Sequence, residues 1–203
     1  MLRTLICIYF LLLASGLRAK AADNSSPANS PSLPKVEYIR TLEGPQEKIK
    51  ISEETRGRKT YQVATIVIKA SPELVFDTFT DYKRAPTIFS YCKHCRIISA
   101  VGPDKRILFE AALAGGLFKF DYVLEFREHR PKLVEWHRVS GAFKANEGYW
   151  KFDPVEDGKS TLVTYSKYVD AGFPFPQFIV KKELRNDMPL ILTELKTAVE
   201  GAN

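Results

Sequence analysis

The stretch Ile66–Phe89, "IVIKASPELVFDTFTDYKRAPTIF", decides how the rest of the chain is read. It opens on β-branched residues that suit a strand, which Ala70-Ser71-Pro72 ends. Ser71 is placed to cap a helix, and Pro72 suits the first helical position, where no N–H is needed. Leu74, Val75 and Phe79 predict its apolar face. The helix is short, because "TDYKRAPTIF" interrupts it and Pro86 forces a turn or a fresh start.

Upstream, "EKIKISEETRGRKTYQVATIVIKAS" alternates on both sides of "TRGR" and predicts a hairpin with a long second strand. Downstream come the strand-like runs "RIISAV", "RILFEAAL", "LFKFDYVLEFRE", "KLVEWHRVS", "EGYWKFDPV" and "TLVTYSKYVD". Their joins carry turn chemistry at Gly102-Pro103-Asp104, Gly115-Gly116, Arg130-Pro131, Ser140-Gly141 and Asp157-Gly158. Joins this short predict an antiparallel meander, since parallel strands need long crossovers. From Pro176 to Glu200, Val180, Leu184, Met188, Ile191, Leu195 and Ala198 recur at spacings of three and four. One long amphipathic helix fits, with a kink expected at Pro189.

The first residues predict export. "MLRTLICIYFLLLASGLRAKA" has a basic start, an apolar run from Leu5 to Leu13, and Ala19-Lys20-Ala21 as a cleavage site. The run is about half the roughly 20 residues a spanning helix needs. Residues 1–21 therefore read as a signal peptide, and the mature chain is expected to be periplasmic or secreted. The Ser-, Asn- and Pro-rich residues 22–45 predict a disordered spacer, and 46–203 one globular domain. Losing Arg3, Arg18 and Lys20 with no acid takes the formal net charge from +6 to +3. So mild a bias argues against a nucleic-acid partner.

Export also frames "SYCKHCRI", Ser90–Ile97. Cys7 leaves with the signal, so Cys92 and Cys95 remain as one pair. A zinc site normally wants four ligands, and the three histidines are not spaced to complete one. A thioredoxin-type cysteine would open a helix in a βαβ unit. A local disulfide is the first reading of the pair, thiol-disulfide activity the alternative and metal the last.

In "LFKFDYVLEF", Phe118, Phe120, Tyr122, Leu124 and Phe126 share one face. Such a stripe is the ordinary mark of a packed core, and a strongly bent sheet can equally leave a cavity behind it. The pattern alone does not choose.

The order of features does resemble a known family. Ala70, Ser71, Pro72, Asp81, Tyr82 and Pro86 follow the opening of the START-like, or SRPBCC, superfamily, and of its polyketide cyclase/dehydrase and coenzyme Q-binding START group. Trp136, Gly141, Gly148 and Trp150 resemble its paired strands, and "DAGFPFPQFIVKKELRNDMPLILTELKTAVE" its closing helix. The resemblance covers roughly residues 46–201. It implies an α+β helix-grip fold: about seven antiparallel strands curved around a long C-terminal helix, with two short helices after the first strand. It also implies an apolar cavity for a lipid, quinone or polyketide-like ligand, with oligomeric state left open. Expected wall residues are Phe118, Phe120, Tyr122, Phe126, Trp150, Leu184, Met188 and Ile191. Access is expected near "ALAGGL" and "DAGFPFPQF", where Phe173 and Phe175 would cover an opening or touch a membrane transiently. Some relatives are enzymes, for which Glu110, His137 and Arg138 are the acid/base candidates, each equally readable as a surface group. No cofactor is called for: the chain has no Gly-rich phosphate loop, nucleophile triad or paired-carboxylate site.

Overall fold

The computed structural model describes residues 49–113, 118–172 and 176–201, with side chains omitted for 111–113 and 118–120. The expected signal and spacer, the Gly115-Gly116 loop, and Phe173 and Phe175 lie outside the described residues.

Eight strands form one sheet: β1 (Lys50–Arg56), β2 (Lys59–Ile68), β3 (Cys92–Val101), β4 (Asp104–Leu113), β5 (Phe118–His129), β6 (Leu133–Gly141), β7 (Ala145–Val155) and β8 (Ser160–Asp170). Their order is β1-β2-β8-β7-β6-β5-β4-β3, and every neighbouring pair is antiparallel. Among the described residues three α-helices accompany the sheet: α1 (Pro72–Thr80), α2 (Ala85–Ile88) and α3 (Gln177–Glu200). This is the α+β helix-grip arrangement with one more strand than expected. The "TRGR" turn folds β1 back along β2 as an edge, so the short helices follow the second strand, not the first.

Local rules explain the opening. Ser71 Oγ accepts the Leu74 N–H at 3.4 Å, and Pro72 begins α1. Its buried side chains are Pro72, Val75, Phe76 and Phe79, spaced as one helical face. Leu74 falls off that face and is 38% exposed, which corrects the predicted stripe. Tyr82, just after the helix, donates to Glu128 Oε1 at 2.8 Å, and Lys105 pairs with the same carboxylate. The Asp-Tyr step thereby ties the helical segment to β4 and β5.

Alternation assigns the concave face. Glu53, Gln62, Lys167, Gly148 and Trp136 are cross-strand partners in one row; Ile51, Ala64, Tyr165, Trp150 and Val134 form the next. The outer face carries ion pairs such as Arg127–Asp104 and Arg106–Glu125.

Helix α3 continues through Pro189, but its apolar face does not bury evenly. Met188, Ile191, Leu192, Leu195 and Val199 are buried, whereas Val180 and Leu184 are half-buried and Phe178 is 71% exposed. The second half of α3 therefore belongs to the core. Among the described residues no helix is long and apolar enough to cross a membrane.

Candidate functional site

Between the short helices and the concave face lies an internal cavity of about 50 Å³. Phe79, Tyr82, Ala85 and Phe89 line it from the helical side. Phe109, Tyr122, Leu124, Phe126, Trp136, Trp150 and Tyr165 line it from the sheet, and Tyr91, 42% exposed, stands where it meets the surface. Aromatic pairing explains its small size. Trp150 and Tyr165 stack with ring centroids 4.0 Å apart, Phe109 and Tyr122 at 5.4 Å, and Phe79 lies 4.7 Å from Trp150. A cavity that holds benzene is about 150 Å³. The open pocket expected from the resemblance is thus nearly filled by its own walls.

The expected wall residues divide. Tyr122, Phe126 and Trp150 line the cavity. Met188 and Ile191 are buried in the core without lining it, and Leu184 packs only partly against that core. Helical spacing gives a face but not the depth at which each turn meets the sheet. Phe118 and Phe120 are paired in β5 through their backbones, and their side chains are outside the description.

None of the acid/base candidates lines the cavity. Glu110 is exposed on β4. His137 is exposed on the outer face, 3.8 Å from Glu125. Arg138 donates to the carbonyls of Ala142 and Gly141 at 3.2 and 2.6 Å, which pins the β6–β7 turn. His137 does line a solvent-open hollow of about 400 Å³ on the outer face, with Arg56, Asp104, Glu125, Arg127, Glu135 and Glu147. Apart from Glu135 and His137, which make weak contacts with His129 and Glu125, its charges are closely ion-paired, which leaves it without an unmatched group for a ligand.

The cysteines are two thiols here, not a disulfide. On a regular strand, residues three apart face opposite ways. A bulge between Cys92 and His94 resets the register, so Cys92 pairs with Ala111 and Cys95 with Phe109. Those partners are two apart, and both thiols therefore share the concave side. A hydrogen bond from Cys95 lowers the pKa of Cys92, while the same bond and burial raise that of Cys95. Among the described residues no cluster of His, Cys, Asp and Glu could hold a metal ion.

Sequence reasoning missed the cavity's polar end. In "TLVTYSKYVD", Val163, Tyr165, Lys167 and Val169 share the concave face, so a lysine sits on an apolar stripe. That alternation was the available signal. Among the described residues that line the cavity, half-buried Lys167 is the only charged one, and burial lowers its pKa to about 8, against a weaker opposing effect of Asp187 on α3. Asn146 lines the same end and accepts the Trp136 indole N–H at 3.2 Å. Opposite Lys167 on β2, Gln62 is fully buried; its amide nitrogen donates to Glu53 at 2.9 Å, and its Oε1 has no partner.

Comparison with known proteins agrees with this architecture. A START superfamily protein from Mycobacterium smegmatis superposes with a TM-score of 0.63 at 18% identity, covering 70% of this chain and 99% of that one. The STAR-related lipid transfer protein from Xanthomonas axonopodis gives 0.63 at 15% identity, covering 75% and 93%. The Zhui aromatase/cyclase from Streptomyces sp. R1128 gives 0.56 at 13% identity, covering 70% and 92%. At these identities the likeness is one of fold. Among curated proteins none matches the chain by sequence. Residues 68–196, well over half of the chain, do match a family's sequence pattern, and they run from the end of β2 into the last turns of α3: the chain belongs to the polyketide cyclase/dehydrase and lipid transport family.

Proposed function

We propose that this protein binds a lipophilic small molecule between its sheet and its short helices, and that it does so outside the cytoplasm. The observation that carries the reading is the aromatic-lined cavity reached at Tyr91. The family's description, which names lipid transport, and the lipid transfer protein among the structural neighbours support it. The leader-like residues 1–21 support export.

Binding requires the walls to part, because about 50 Å³ accommodates water and not a lipid. The energetics allow this. Separating one aromatic pair costs about 1 kcal/mol. Burying about 300 Å² of ligand surface contributes about 7 kcal/mol at about 25 cal/mol per Å². No acid/base candidate reaches the interior, so binding is favoured over catalysis.

The test is direct. Protein recovered from its own cells is extracted with organic solvent, and the extract is analysed by mass spectrometry. The emptied protein is then titrated with Nile red, a neutral apolar dye. A co-purifying lipophile and saturable dye binding are expected. A protein with no extractable lipophile and no dye binding would overturn the reading. Amino-terminal sequencing is expected to show a mature chain starting near Ala22.

A further inference from the structure

An interior that only packs has no use for an ammonium group. Lys167 nevertheless projects from the concave face between Tyr165 and Val169, and among the described residues no carboxylate is within ion-pair distance of it. Glu53, in the same cross-strand row, is already engaged by the Gln62 amide at 2.9 Å and by Arg185 at 3.8 Å. Asp187 on α3 acts on Lys167 through space, opposing the effect of burial. Lys167 itself is half-buried. Directly across the β2–β8 pair, Gln62 Oε1 is a buried polar atom with no partner. Such an orphan costs about 1–3 kcal/mol, and native interiors seldom keep one without a use. A lysine lining one end of an aromatic cavity, without an ion pair among the described residues and with an orphaned acceptor across from it on the next strand, makes half of a recognition site.

We infer that Lys167 binds the carboxylate head of an amphipathic acid whose apolar tail lies among the cavity's aromatic rings. This rests on the lipophile-binding reading and specifies its ligand. A single ammonium balances a single negative charge, and the surrounding rings offer nothing to a second, which selects a carboxylate over a phosphate dianion.

The test compares cis-parinaric acid, a fluorescent polyene fatty acid, with its methyl ester, at pH 7 and on the full mature protein. The two share a tail and differ in the charge of the head. Wild type is expected to bind the acid at least about ten-fold more tightly, a difference of about 1.4 kcal/mol. Lys167→Met is expected to erase that preference by weakening the acid alone, and Lys167→Arg to retain it. Thermal melts establish that both variants are folded. Equal binding of acid and ester by wild type, or an intact preference in Lys167→Met, would overturn the inference and leave the cavity reading standing. Binding of neither probe would overturn both.

Discussion

The Trp136 ring lies against Gly148 on the neighbouring strand, so closely that a Cβ on that glycine would sit 2.7 Å from two ring carbons. The same Cβ would meet the Ser166 carbonyl oxygen at 2.0 Å. The glycine is there for close approach: its missing side chain lets the indole reach Asn146 and lets β7 lie tight on β8. Gly148→Ala is therefore expected to destabilise the fold by about 1–3 kcal/mol, as overpacking does. Urea denaturation measures it, and an unchanged midpoint would contradict the contact.

Tyr82 joins the helical segment to β5 through Glu128, and burial with that carboxylate's charge pushes its phenol well above the ordinary range. Tyr82→Phe removes the donor and leaves the half-buried Glu128 to Lys105 alone. A loss of about 1–2 kcal/mol is expected in denaturant unfolding. A neutral outcome would mean that the hydroxyl contributes nothing to docking the helices.

Cys92 and Cys95, brought to one side by the bulge, are expected to close into a disulfide once the chain meets an oxidising compartment. Peptide mass spectrometry without reductant detects it, and free thiols in such material would refute it. So short a loop adds about 2 kcal/mol at most. In the reduced protein, Cys95→Ala removes the hydrogen bond that favours the Cys92 thiolate. The pH midpoint for alkylation of Cys92 should therefore rise.

Lys167 makes the unliganded protein less stable than it needs to be. Its pKa falls from 10.5 to about 8 on folding, under burial and against Asp187, with Tyr165 and Gln62 as its other polar neighbours. Between those values the unfolded chain holds a proton that the native chain does not, so stability rises with pH across that window. Below about pH 8 the cost of burying the charge is fully present. Lys167→Met should stabilise the empty protein at pH 7 by about 1–3 kcal/mol, with the gain shrinking towards pH 10.5. Denaturation at both pH values checks this, and a loss of stability at pH 7 would show that the amine has a structural role instead.

Much of this fold was legible from residues whose effect is local. Ser71 and Pro72 start α1 by satisfying or omitting backbone donors, and the short Gly- and Pro-bearing joins leave antiparallel pairing as the only economical geometry. Alternation put Tyr122 and Phe126 on one face of their strand, the family resemblance added Trp150 as a wall residue, and alternation along β8 puts Lys167 on the same concave face.

What the chain order left open was settled by tertiary packing. The side of the sheet that Cys92 and Cys95 share depends on a one-residue bulge, and periodicity contains no term for it. Which turns of α3 reach the core depends on how far the curved sheet stands from each of them; Met188 is enclosed while Leu184 is not. The interior void is a small difference between two large volumes, the space the backbone encloses and the side chains that fill it. Periodicity tells which residues look inward, but only the packed structure shows how much room they leave and that a lysine lines it among aromatic rings.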